Sequence, residues 1–483
     1  MKNMQKNIST YLLIVGLLCF SASLVTGCAS RIDIPARQKK LAQQFPSSWN
    51  ESITTIGTAA HLEELTTNPE LKKLILEALK ENPNLLATAY KLKASGLLLS
   101  VSSSAYLPSL SLEGSGTRSN AIGKEADSYS TAAKIQWEID LWGKLADLYE
   151  ADKLGVAAKA EDYIAARNAL IARVITAWVE LSSQYQAVSI QHKRVTALQN
   201  TQDIVLDRYN IGLGKSEDLA TAKANTEAAR QVLLENMLVL SKKRRTLELL
   251  TGKYPSGRIH GETTLPIIQT PVVAVPLSVL TGRPDIKAAW LRVQQADTTV
   301  SAANKAFLPS INLTADLGYS SNGFTAIGTG PSVWNAISTI SQPVFQGGKL
   351  VDTAKARSEE SKAAWEEYRE TVLKAAQEVE NALENEQSLT SQEHYLLSSL
   401  KYATESRINY EQQYNEGLTD ILNLLTAKNN ELNTEAQLLA IRTSRLTNRI
   451  SLALAAGLNS VQESAEKSAS SVRHNIKEPA HAQ

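Results

Sequence analysis

The sequence predicts an α+β fold made of one structural unit written twice, each copy combining long helices with a β-hairpin. Three observations carry this reading. Short motifs return at a fixed offset, long runs contain no proline, and in two intervals the hydrophobic period shortens to two residues.

The repeat is read directly from the chain. Asn82-Pro83-Asn84-Leu85 and Tyr106-Leu107-Pro108-Ser109 return as Arg283-Pro284-Asp285-Ile286 and Phe307-Leu308-Pro309-Ser310, both 201 positions later. Gly143-Lys144-Leu145, Tyr209-Asn210-Ile211-Gly212-Leu213, Thr221-Ala222-Lys223 and Gly252 return 205 positions later, at Gly348, Tyr414, Thr426 and Gly457. The four-residue change falls between Ser109 and Gly143. The matches delimit a first repeat over 68–254, an inter-repeat segment over 255–283 and a second repeat over 284–460.

At the N-terminus, Lys2 and Lys6 precede an apolar stretch from Tyr11 to Phe20. That stretch is too short for a stable membrane span and reads as an export signal over 1–27. Leu24-Val25-Thr26-Gly27-Cys28 resembles the lipobox of bacterial lipoproteins, and by that resemblance Cys28 becomes the first mature residue and carries the acyl chains. Ala29 in place of Asp argues, by the same resemblance, against retention at the inner membrane. Residues 28–67 are polar, contain Pro35 and Pro46, and read as a lipidated tether. The polar tail over 461–483 reads as disordered.

No proline occurs from Ser109 to Tyr254 or from Val344 to Glu478. These Ala/Leu/Glu/Lys-rich runs predict long helices over 143–209 and 348–414, with return helices over 216–251 and 419–457. Leu170, Val174, Ala177 and Leu181 recur at 4,3,4 spacing and predict a buried seam. At about 1.5 Å per residue each long helix measures about 100 Å. A return helix covers half of that, so the shorter helices ending at Ala105 and Ala306 are expected to complete a broken rod beside each continuous one.

Between each Leu-Pro-Ser and the following Gly-Lys-Leu the period switches to two. Ala133, Ile135, Trp137 and Ile139 alternate with Lys134, Gln136, Glu138 and Asp140. Ile311, Leu313, Ala315, Leu317 and Tyr319 alternate with Asn312, Thr314, Asp316 and Gly318. Two hairpins, about 109–142 and 310–343, follow, with strands of about ten residues, the length of a tilted barrel strand. A half-buried sheet in a soluble domain would read the same. In a bilayer, however, unpaired edges are costly and single-chain barrels begin near eight strands, so four spanning strands require an oligomer; three copies would supply twelve.

Charge is balanced, with Lys+Arg 50 against Asp+Glu 49, which gives no nucleic-acid surface. Both cysteines, Cys19 and Cys28, lie near the N-terminus, and the six histidines form no metal-ligand pair. No catalytic constellation stands out, so neither an enzyme, a metal site nor a cofactor is expected.

The lipobox at Cys28, the Arg283-Pro284-Asp285-Ile286 element, both Leu-Pro-Ser entries and both Tyr-x-x-Gly-Leu turns resemble the TolC-like outer-membrane efflux factors, specifically the OprM-like lipoprotein branch that serves resistance-nodulation-division (RND) pumps. The resemblance covers roughly 40–460. Trp290 departs from it, standing where that branch usually has an acidic residue. It implies a homotrimer whose twelve-stranded outer-membrane β-barrel continues into a twelve-helix periplasmic α-barrel. Such a duct conducts passively, receiving substrates from an RND-type inner-membrane pump through a periplasmic adaptor. Residues 255–283 would be equatorial, and Trp137, Tyr319 and Trp334 would face outer-membrane lipid. Tyr209, Gly212, Leu213, Tyr414, Gly417 and Leu418 would form the adaptor-docking tip. The gate would map to Leu422, Asn423, Thr426 and Asp420. Relatives often carry Asp at the positions of Asn423 and Thr426, so a carboxylate ring is weakened here and Leu422 becomes the candidate constriction, although Asp218 keeps the acid in the first copy. Other readings are a type I protein-secretion duct and a lipid-anchored helical spacer, which would not explain the alternating strands.

Overall fold

The computed structural model describes residues 57–121, 123–324 and 332–459, with most of 36–50. The export signal, Cys28 and the tail over 461–483 lie outside the described residues. The order is α1 (Pro69–Glu81), α2 (Pro83–Ser104), β1 (Ser109–Ala121), β2 (Lys124–Ile139), α3 (Lys144–Asn210), α4 (Ser216–Leu250), α5 (Pro276–Gly282), α6 (Pro284–Lys305), β3 (Ser310–Ser321), β4 (Ser332–Ser341), α7 (Lys349–Asn415) and α8 (Ile421–Ala455). Two compact units result: one includes Leu92–Ala160 and Lys287–Glu370, the other Ala42–Lys91, Glu161–Ile286 and the chain from Thr371.

The first unit carries an antiparallel sheet in the order β1-β2-β3-β4. Its register pairs Leu110 with Ile135, Trp137 with Leu313, and Leu317 with Trp334. Side chains alternate across a strand, so those residues and Tyr319, opposite Thr131, share one apolar face. Lys134, opposite Asp316 and 3.4 Å from Glu113, lies on the other face with Gln136 and Thr314. Among the described residues, the outer edges of β1 and β4 are unpaired.

Two strands exceed the expected length, with 13 residues in β1 and 16 in β2. The ladder runs on to Ala121 opposite Lys124, and Gly123, at φ +73°, stands just before Lys124. The extra rungs are polar, which hid them from a search for apolar alternation. At the strand roots the Trp137 indole donates to the Tyr106 carbonyl at 2.9 Å and Trp142 to that of Pro309 at 2.7 Å. The Trp290 ring packs on Tyr368, which in turn meets Trp365, so the departure from the family's acidic residue serves an aromatic cluster.

The second unit holds a core of Leu62, Leu65, Leu71, Ile175, Trp178, Leu247, Ile268 and Ile450. The predicted seam of Leu170, Val174, Ala177 and Leu181 is buried there. Hydrogen bonds give the lateral order of the helices within this unit. Gln184 and Gln191 of α3 reach Asn236 and the Ala229 carbonyl of α4. Lys193 and Ser183 of α3 meet Glu435 and Thr443 of α8, and Arg445 of α8 meets Glu386 of α7. The layer is therefore α4-α3-α8-α7, with α4 and α7 as its outer helices and Asn50 donating to Glu380 on α7.

Broken rods are joined by one device used twice. The Asn82 side chain accepts from the Asn84 and Leu85 amides at the start of α2 and donates to the Leu250 carbonyl at the end of α4. At the repeat-equivalent position, Arg283 donates to the Ala455 carbonyl at the end of α8 and pairs with Asp285 and Glu378 at 2.8 Å. Both side chains satisfy helix-end groups that would otherwise be orphaned. Burial opposes the Asp285 charge, but the Arg283 guanidinium outweighs it and holds the carboxyl below its ordinary range.

Candidate functional site

The sequence-predicted tip residues meet at one end of the second unit. α3 ends in a Schellman motif: Gly212 donates to the Tyr209 carbonyl and Leu213 to that of Arg208. α7 ends identically, with Gly417 donating to Tyr414 and Leu418 to Gln413. The motif needs a left-handed residue, and Gly212 and Gly417 supply it at φ 76° and 77°. The same turn throws the next side chain outward, leaving Leu213 79% and Leu418 73% exposed.

The two turns lie side by side through an apolar cluster of Val205, Leu219, Ala222, Tyr414, Ile421 and Leu424. This separates the paired tyrosines. Tyr209 is 44% exposed whereas Tyr414 is 9% exposed, packed under the Arg208 guanidinium 5.0 Å from its ring centroid. Ile211, also exposed, was not singled out from the sequence, although an apolar residue inside the Tyr-x-x-Gly turn could have flagged it.

Beyond the second turn, α8 turns one neutral face outward. Leu422, Asn423 and Thr426 are exposed, while Ile421, Leu424 and Leu425 are buried behind them. The polar groups on this face are engaged locally. Thr426 Oγ1 donates to the Leu422 carbonyl at 2.8 Å and Asn423 Nδ2 to Thr419 Oγ1 at 3.1 Å. Asp420 is the N-cap of α8 and accepts from the Leu422 amide. α4 starts instead at Lys215, without a side-chain cap, and exposes Asp218 in its first turn.

Just above, Arg407 pairs with Glu411 and Glu431 at 2.7 Å, and Lys428 with Glu411 at 3.1 Å, tying α7 to α8. Farther along, Glu386 accepts from Arg445 and Arg449, and Glu393 from Arg442 and Arg445. Burial would raise the Glu393 carboxyl, but the hydrogen bonds and charges of Arg442 and Arg445 hold it below its ordinary range. Among the described residues no group of His, Cys, Asp and Glu could hold a metal, and no helix is long and apolar enough to cross a membrane.

A duplicated chain with a two-faced, open-edged sheet and long paired helices is the plan of a class of outer-membrane protein. The family described as "Outer membrane efflux protein" matches residues 74–253 and 275–458, and the chain belongs to it. The "Cation efflux system protein CusC" of Escherichia coli is 26% identical over 457 residues, covering 91% of this chain and 98% of that protein. The "Probable outer membrane lipoprotein SilC" of Salmonella typhimurium is 25% identical, covering 90% and 96%. The crystal structure of the Campylobacter jejuni CmeC outer membrane channel superposes with a TM-score of 0.79 at 22% identity, covering 89% of this chain and 94% of that one. The protein is thus an outer-membrane efflux component, and its α+β duplicated fold is that of the family.

Proposed function

We propose that three copies close into a lipid-anchored exit duct, fed by an inner-membrane pump of the RND type through a periplasmic adaptor. The observation that carries this reading is the sheet. One face is apolar, one polar, and both edges are unpaired among the described residues, a combination that lipid tolerates only when other copies complete the barrel. Trp137, Tyr319 and Trp334 then face lipid, and Lys134, Asp316 and Gln136 line an aqueous lumen. Cys28 anchors the chain to the same outer membrane, and residues 255–283 lie at the equator.

Tyr209, Gly212, Leu213, Tyr414, Gly417 and Leu418 form the adaptor-docking tip, with Leu213 and Leu418 as its exposed apolar contacts. Leu422, Asn423, Thr426 and Asp420 form the gate. Asn423 and Thr426 carry no charge and Asp420 is committed as a cap, so the resting aperture closes on Leu422. Relatives carry names for cation, toluene and antibiotic efflux, and a passive duct serves any of these cargoes.

Single-channel conductance of the lipidated protein in a planar bilayer tests the proposal. Small discrete steps that grow in Leu422→Ser with Leu418→Ala support a duct closed at its tip. No conductance from either protein, despite folding and insertion, would favour an anchored spacer.

A further inference from the structure

The aromatic cluster that Trp290 joins carries a residue from the N-terminal segment on top of it. The Arg37 guanidinium lies 5.9 Å from the centre of the Trp365 ring, and Trp365, only 5% exposed, meets Tyr368 in turn. Arg37 and Leu41 are both helical and stand four residues apart, so they share a face, and Leu41 is buried. A further hold on the same segment is Trp49, which donates to the Ala274 carbonyl at 2.8 Å and packs against the cluster of Val379 and Leu383.

Chain length turns these holds into distances. Nine residues lead from Cys28 to Arg37 and cannot span more than about 31 Å, whereas the twenty-one to Trp49 can span about 70 Å. Trp365 lies about 24 Å along α7 from its start at Lys349, which follows β4 at the foot of the sheet. An anchor at Cys28, held through Arg37, therefore reaches the level of the strand ends with about 7 Å to spare. Held only at Trp49, the same anchor ranges over a far larger volume.

We propose that the cluster of Trp290, Trp365 and Tyr368 is the docking site of the Arg37–Leu41 stretch, and that this clamp shortens the lipid leash so that a newly anchored chain presents its open sheet at the membrane surface. The inference rests on acylation of Cys28. A guanidinium is weakly hydrated and stacks on an aromatic face, so Arg37 can be held on Trp365 without a carboxylate beneath it. The effective concentration of a tethered group falls roughly as the −3/2 power of tether length. Lengthening the leash from nine residues to twenty-one thus lowers that of the sheet at the bilayer by about three- to fourfold.

The test follows insertion of the full-length lipidated protein, diluted from urea into phosphatidylethanolamine vesicles, read as protease-resistant strands. Arg37→Ala with Leu41→Ala should insert about three- to fourfold more slowly than the unsubstituted chain. Cys28→Ser should abolish that difference, because a chain without an anchor has no leash to shorten. A difference that persists in Cys28→Ser would make the clamp a folding contact and overturn the inference. A covalent clamp supplies the rescue. Arg37→Cys, Leu41→Ala and Trp365→Cys joined by a short bismaleimide should insert at the original rate, and the unjoined form as slowly as Arg37→Ala with Leu41→Ala. Equal rates for the joined and unjoined forms, with Cys28 acylated by mass spectrometry, would overturn the inference and leave the anchor standing. A Cys28 that carries no acyl group would overturn the anchor and the inference together.

Discussion

The helix pairs α3/α4 and α7/α8 share a backbone plan but are held together by different chemistry. Leu181, Val188, Met237 and Leu240 of the first pair stand 205 positions before Glu386, Glu393, Arg442 and Arg445 of the second. Where the first pair buries Leu181 and Leu240 in the unit's core, the second builds a layer of carboxylates and guanidiniums. The comparison teaches that the duplicated architecture requires the two helices to meet at this height, by whichever means fills the gap without stranding a polar group.

The largest expected effect comes from breaking the charged layer on one side only. Glu386→Leu leaves Arg449 without a carboxylate and Arg445 with Glu393 alone, at a cost of about 3 kcal/mol in denaturant unfolding. Adding Arg445→Leu copies the first pair's apolar solution and should recover most of that loss, because Arg449 keeps its bond to the Ile268 carbonyl. A double variant as unstable as the single one would show that the layers are not interchangeable. The matching change in the first pair, Leu181→Ala, should cost about 3 kcal/mol through a cavity, with no dependence on salt.

Acid sharpens the contrast. Glu393 has a depressed folded pKa, so its contribution is fully present above the unfolded carboxylate value, about 4.3, and is lost as pH falls through the lower folded value. Hydrogen exchange of peptides spanning Glu386–Glu393, corrected for intrinsic rates, should therefore rise below about pH 4. Peptides spanning Leu181–Val188 should stay protected, and equal loosening of both would break the comparison. The smallest effect is expected at the turns. Asp420→Ala should fray the start of α8 by about 1 kcal/mol, and Lys215→Asp should steady α4 by a similar amount. Both can be followed by exchange of the first-turn amides.

Much of this was written legibly in the chain. Gly212, Gly417 and the Asn82 and Arg283 positions carry backbone and capping demands that few residues meet, so they repeat and betray the duplication. The strands' apolar alternation was legible from Ala133 to Ile139 and from Ile311 to Tyr319. It was not legible over Arg118, Asn120, Glu125 and Asp127, where both faces of the ladder are polar. The charged layer was also hidden. Glu386 and Arg445 look like any solvated helical charge until a third dimension shows Glu386 buried beneath a half-buried Arg445. At the candidate gate the outward set of Leu422, Asn423 and Thr426 followed from spacing, but the capping duty of Asp420 depends on a local backbone bend.

The offsets of 201 and 205 carry a consequence for how such a chain can change. Deleting one residue from α3 alone would draw its tip back by about 1.5 Å and swing it by about 100° relative to that of α7. The constant offset from Gly143 to Gly252 marks the stretch where both copies must keep equal length to arrive level. The four-residue difference sits instead in the hairpin region, where length can be gained in one copy without moving the other. Evolution of this duct is thus free at its strand ends and locked in step along its helices.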